Sequence, residues 1–231
     1  MGDRSIVQEQ RVGAMSCCNH CQESGDLFDQ KKARDELRTY RKNGAPGAPT
    51  SLLVDGLKTL DLEGAALLDV GGGIGRIPCE LLEGGISRSL LVEASPPYLE
   101  VAEKETRRRG YEGKAEFEYG DFVDLAPDLP EADVVTLDRV FCCYPHMKRL
   151  VEASTAKARR WYGVSYPKER WYNKIIGGLA AGYCWARDMD FRMYIHTGVQ
   201  ETIEAQGFER FYQVGTMIWQ VELYEREGAL G

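Results

Sequence analysis

Leu67-Leu68-Asp69-Val70-Gly71-Gly72-Gly73-Ile74-Gly75-Arg76-Ile77 is an apolar run that breaks into glycines and then gives way to helical spacing. It predicts a buried strand, a tight turn and the opening of a helix. In an open α/β sheet that junction borders the crevice where nucleotide-like ligands bind. With Asp69 two residues ahead of Gly71, the pattern is D-x-G-x-G-x-G. It differs from the dinucleotide fingerprint G-x-G-x-x-G, whose last glycine would fall where Arg76 stands. Glycine at 71, 73 and 75 tolerates positive φ and lets a ligand approach the backbone closely.

Working outward, Ile74, Ile77, Leu81 and Leu82 predict one helical face ending at Gly84-Gly85. Ser89 to Val92 predicts a second strand ending in Glu93. Ser95-Pro96-Pro97 then opens a helix that closes at Gly110. A third strand, Phe117 to Tyr119, leads into Gly120-Asp121-Phe122, and a fourth, Ala132 to Leu137, carries Asp138 at its carboxyl end. Leu150 to Arg160 predicts a helix, Trp161 to Ser165 a fifth strand, and Trp171 to Arg187 an aromatic-rich helix. Val199 to Ala205 predicts a further helix, and Phe208 to Val214 with Ile218 to Tyr224 a strand pair around Gly215-Thr216. Alternation of this kind defines an α/β fold with a doubly wound, mostly parallel sheet and a C-terminal antiparallel hairpin.

Two N-terminal helices precede the sheet, one from Asp26 through Tyr40 and one over Leu52 to Leu60 capped by Thr50 or Ser51. They either pack on the sheet or lie over the crevice as a lid. The expected division is a flexible cysteine-containing tail at 1–25 and a single domain at 26–231. Within the domain, 26–62 holds the N-terminal helices and 168–192 a cap segment.

The chain has 231 residues, enough for one substantial α/β core. Its 29 basic and 36 acidic side chains leave a net charge of -7, which disfavours nucleic acid as the main partner. The clusters Lys104 with Arg107-Arg108-Arg109, and Lys157 with Arg159-Arg160, read as solvated cations late in helices. No stretch is apolar enough to span a bilayer and the first ten residues are polar, so no membrane association and a cytoplasmic location are expected. Seven unevenly spaced cysteines do not form a secreted disulfide framework.

The D-x-G-x-G form, followed in order by Glu93, Gly120-Asp121-Phe122 and Asp138, resembles the class I S-adenosylmethionine-dependent methyltransferases. That resemblance implies a seven-stranded sheet and S-adenosylmethionine as cofactor. It assigns cofactor contacts to Asp69, Gly71, Gly73, Gly75, Glu93, Asp121, Phe122 and Asp138. Glu93 would accept from the ribose hydroxyls, Asp121 from the adenine amino group, and Phe122 would pack on the ring. Asp138-Arg139-Val140-Phe141-Cys142-Cys143-Tyr144-Pro145 is similar to bacterial proteins described as magnesium-protoporphyrin O-methyltransferase-like, from which no porphyrin substrate is inferred. The expected acceptor is a small molecule.

For a general base, His146, just past the fourth strand, and His196 are the candidates, with Tyr144 beside them. Tyr144, Tyr166 and Trp171 are candidates to line the acceptor pocket. Cys17, Cys18, His20 and Cys21 cluster in the tail, and Cys142-Cys143 adjoin the expected site. Because neighbouring side chains diverge, neither group is expected to bind metal. A tail folded onto the sheet would bring thiols together for a thiophilic acceptor such as arsenite, but the cysteines fit the arsenite methyltransferases poorly. Two other readings are a noncatalytic cofactor-binding sensor with a cysteine-based metal or redox site, and a nicotinamide dehydrogenase, which Arg76 disfavours. Oligomeric state is not legible.

Overall fold

The computed structural model describes residues 29–44, 47–170, 173 and 194–229. The tail cysteines, Trp171 and nearly all of the expected cap segment and its helix lie outside them.

Helix α1 (Gln30–Asn43) begins at Asp29, whose carboxylate accepts from the Lys32 N–H at 2.7 Å. Helix α2 (Thr50–Leu57) presses Leu53, Val54 and Leu57 onto the sheet. Neither Thr50 nor Ser51 caps it. Pro49 holds the cap position, and the Thr50 hydroxyl donates instead to Asp138 Oδ2 at 2.5 Å.

Strands β1 (Ala66–Val70), β2 (Arg88–Glu93), β3 (Ala115–Tyr119), β4 (Ala132–Asp138), β5 (Ala158–Pro167), β6 (Phe208–Gly215) and β7 (Trp219–Arg226) form one sheet in the order β3-β2-β1-β4-β5-β7-β6. Five run parallel from β3 to β5, and β7 is antiparallel to both β5 and β6. The seven-stranded, mostly parallel sheet with its C-terminal hairpin is the architecture expected.

Helices α3 (Arg76–Glu83), α4 (Pro96–Arg108), α5 (Phe122–Leu125), α6 (Met147–Thr155) and α7 (Val199–Glu204) follow, with short 3₁₀ turns at Ala126–Asp128 and Phe141–Cys143. Alternation along β1 divides the core. Leu67 joins Ile77, Leu81 and the α2 leucines on one face, while Leu68 and Val70 join Leu137, Leu150, Val164 and Phe208 on the other. Such a strand, buried along its whole length, suits the centre of a parallel sheet.

Three expectations shift. Ile74 precedes α3 and packs with Ala33, Tyr40, Tyr98 and Val101, whereas Ile77, Leu81 and Leu82 face the sheet. The reason is Gly75, whose left-handed backbone starts the helix one residue later. Helix α6 stops at Thr155, and residues 158–160 belong to β5, where Ala158 pairs with Ala132. The basic residues there therefore lie at the amino end of β5: Lys157 donates to the Leu129 carbonyl, and Arg160 lies over Trp161 and pairs with Glu225. The cations after α4 do more than face solvent. Arg41, Arg108 and Arg109 together hold the buried Glu105 carboxylate.

Candidate active site

A cavity of about 530 Å³ opens at the carboxyl ends of β1 to β4. The turn after each strand contributes one wall, and each wall is pinned by the backbone. Gly71 N–H donates to Val92 O at 2.8 Å, and Gly120 N–H to Glu93 O at 3.1 Å.

Gly71, Gly73 and Gly75 all carry positive φ, of 63°, 57° and 75°. Gly72 does not, yet it has the least room: a Cβ there would meet Asp69 Oδ2 at 2.4 Å and Leu91 at 2.7 Å. The turn thus needs glycine for conformation at three positions and for space at the fourth, which the x positions of the pattern conceal.

Asp69 is buried beneath this turn. Its Oδ1 accepts from the Thr136 hydroxyl at 2.6 Å, and Oδ2 has no partner among the described residues. Burial, reinforced by the charges of Asp138 and Glu93, pushes the carboxyl up to about 8. Glu93 accepts from Gly73 N–H and Ser95 N–H, one on each oxygen, both at 2.9 Å. Its pKa is raised by burial, against which those backbone donors act. An ionised carboxylate has about four acceptor sites, more than these backbone donors fill, and Glu93 lines the cavity. Asp121 caps α5 through the Val123 N–H at 2.9 Å and accepts from the Tyr144 hydroxyl at 3.3 Å. Phe122 is buried and lines the same end.

Across the cavity stands Asp138, with Ser165 donating to Oδ1, and Thr50 and the Arg139 Nε donating to Oδ2. Arg139 has φ 61°, the one positive φ at a non-glycine among the described residues. Its N–H donates to Ser165 Oγ at 2.9 Å, which fixes this turn. The next turn places Cys142, Cys143 and Tyr144 on the cavity wall.

Sequence reasoning assigned several of these residues and missed others. Seven of the eight expected cofactor residues line the cavity, all but Gly75, and so does Tyr144, at the Asp121 end. His146 and His196 are not among its lining residues: His146 is exposed at the start of α6, and His196 bonds through Nε2 to the Tyr144 carbonyl oxygen at 2.8 Å. Tyr166 points its hydroxyl to Glu222 at 2.6 Å. Missed were Gly72, Thr50, Arg76 and Trp219. The reversed course of β7 brings Trp219, its first residue, opposite Pro167 and so to the carboxyl rim. Arg76, which the motif registered only as a missing glycine, is a buried cation on the cavity wall. It donates to Glu36 at 3.1 Å, and its Nε has no partner among the described residues. Burial lowers its pKa, against which Glu36 acts. Among the described residues no three His, Cys, Asp or Glu side chains gather into a metal site.

Residues 68–157 match the family described as a methyltransferase domain. Among solved structures, the chain is similar to magnesium protoporphyrin IX methyltransferase (ChlM) from Synechocystis PCC 6803 with bound SAH. That match has a TM-score of 0.68 at 15% identity, over 90% of this chain and 100% of that one. It is also similar to an O-methyltransferase family protein from Burkholderia thailandensis, with a TM-score of 0.66 at 13% identity, over 90% of this chain and 62% of that one. The [4+2]-cyclase SpnF matches with a TM-score of 0.65 at 14% identity, over 89% of this chain and 96% of that one. At such identities the likeness is one of fold. No curated protein sequence matches the chain. The domain match runs from the glycine turn past the fourth strand, so residues 68–157 carry a methyltransferase domain on a Rossmann-like sheet, a class of domain whose cofactor is S-adenosylmethionine.

The cavity fits that cofactor. An unpartnered buried carboxyl oxygen at Asp69 and an unpartnered guanidinium nitrogen at Arg76 are an acid and a cation suited to the two ends of an amino acid. Among the described residues no helix is long and apolar enough to cross a membrane.

Proposed function

We propose that the chain transfers a methyl group to a small-molecule acceptor entering beside Asp138, Arg139, Cys143 and Trp219. The observation that carries this reading is the unequal chemistry of the cavity's two sides. Acidic groups at successive strand ends, Asp69, Glu93 and Asp121, suit one nucleoside-bearing amino acid, and the wall after β4 remains for a second molecule.

When bound, S-adenosylmethionine supplies an activated methyl group on a sulfonium. The chain's own task is then alignment. Glu93 would accept from the ribose hydroxyls, and Asp121 from the adenine amino group beside Phe122. Arg76 faces the amino-acid carboxylate, and Asp69 takes the ammonium. Asp138, held by three donors, fixes the Arg139 turn that borders the acceptor. His146 and His196 stay candidates for proton removal if the acceptor carries a proton.

Titration with S-adenosylhomocysteine, followed by transfer of labelled methyl from S-adenosylmethionine into small-molecule extracts, tests this. Saturable binding and a labelled product are expected. Absence of binding, with Glu93→Ala behaving as wild type, would sink the reading.

A further inference from the structure

The turn Phe141–Cys143 has 3₁₀ geometry, in which successive side chains point about 120° apart, so adjacent thiols should diverge. They do not. Cys142 Sγ and Cys143 Sγ lie 3.6 Å apart, and both reach the carbonyl oxygen of Arg139, at 3.0 Å and 3.9 Å. The left-handed backbone at Arg139 sets that carbonyl where the two sulfurs share it. Both cysteines line the cavity, as does the Arg139 side chain.

We propose that Cys142 and Cys143 form a two-sulfur chelating site for one trivalent thiophilic metalloid centre, arsenic(III) in class. Several observations converge on this. The bond between the thiols raises Cys142 and lowers Cys143, and the Arg139 guanidinium favours the thiolate of both. A disulfide is the obvious competitor, but geometry opposes it. Their peptide bond is trans, which holds the Cα atoms about 3.8 Å apart, short of the roughly 4.4–6.8 Å that a disulfide spans. A larger atom bridging both sulfurs needs no such closure. Two sulfurs on the same side of one turn also suit a pyramidal centre with a bent S–As–S angle, and not an ion that prefers two ligands in line.

The step balances without a redox partner. A monosubstituted arsenic(III) dihydroxide exchanges two As–O bonds for two As–S bonds. Each thiol proton leaves with a hydroxide as water, and arsenic keeps its oxidation state.

Phenylarsine oxide is the probe, applied to the full chain carrying Cys17→Ser, Cys18→Ser and Cys21→Ser so that the remaining clustered thiols are those of the cavity. Intact mass should show one adduct that survives excess glutathione and is removed by a dithiol. Cys143→Ser should weaken retention about 100-fold, the loss expected when two linked contacts become one. Cys142→Ser should do the same, and Cys79→Ser, buried elsewhere, should change nothing. Melting curves identify variants that fold, and the partly buried Cys143 supplies the deciding one. An adduct absent from the parent, or equally retained after Cys143→Ser, overturns the proposal. Because S-adenosylhomocysteine binding is measured separately, that failure would leave the methyltransferase reading untouched.

Discussion

The Arg76 guanidinium donates to Glu36 Oε2 at 3.1 Å, which joins the helix before the sheet to the glycine turn itself. Glu36 also accepts from the Tyr98 hydroxyl at 2.9 Å, and Lys32, one turn earlier on α1, lines the same cavity. Of the two placements open to the N-terminal helices, α2 therefore takes the sheet and α1 the crevice.

Glu36→Ala leaves the Arg76 charge buried with no carboxylate in place. The expected cost is about 2 kcal/mol, less than for a fully enclosed pair because Glu36 is partly exposed. S-adenosylhomocysteine should restore part of it, since its carboxylate faces the same cation. Thermal melts with and without the ligand check this: the ligand-induced shift should be larger in the variant than in the wild type.

Asp69 retains its proton up to about pH 8 in the folded chain, whereas an unfolded aspartate loses it near about 3.9. Between those values the folded state binds more protons, so this group makes stability fall as pH rises. Asp69→Asn should flatten the decline by at most about 1.4 kcal/mol per pH unit, read from denaturant melts across that window. Binding of a cation beside Asp69 should expel the proton. At pH 7, calorimetry of S-adenosylhomocysteine in buffers of different ionisation enthalpy should report up to about one proton released, and less in Asp69→Asn.

Glu105 behaves in the opposite sense. Burial would raise its pKa, but hydrogen bonds from Arg108, Arg41 and Arg109 outweigh that and hold it at about 2. Its contribution is present above the unfolded value near about 4.3 and is lost as pH falls towards 2. Glu105→Gln should cost about 2 kcal/mol at pH 7, discounted for the exposure of Arg41 and Arg108, with the difference shrinking between pH 4 and 2.

Gly72→Ala should destabilise by about 1–3 kcal/mol and abolish cofactor binding, because the new methyl overlaps both Asp69 Oδ2 and Leu91. Glu93→Gln is milder in structure, since one acceptor oxygen survives. Its affinity for S-adenosylhomocysteine should fall about 10- to 100-fold, the worth of charged hydrogen bonds to the ribose. Calorimetry beside a melting curve separates the two effects.

Much of this was legible in the sequence because parallel strands announce themselves as apolar runs, and their carboxyl ends can be read residue by residue. Asp69, Glu93, Asp121 and Asp138 could be placed at strand ends that way, while their cofactor roles rest on the family resemblance. What escaped depends on contacts between distant segments. Thr50 looked like a cap because local chemistry favours hydroxyls at helix starts, but its partner lies 88 residues away. Trp219 is one apolar residue in a strand until the direction of β7 is known. Cys142 and Cys143 were expected to diverge on local geometry, and the carbonyl that gathers them became visible only with the φ of Arg139.

That residue sets backbone strain against a side chain on the cavity wall. A non-glycine in the left-handed region stores about 1 kcal/mol or more of backbone strain, which glycine at 139 would release. A lineage selected only for heat tolerance would drift towards glycine there, and would surrender the guanidinium on the acceptor wall. Arginine at this position keeps its guanidinium on the cavity wall against the backbone preference of the turn.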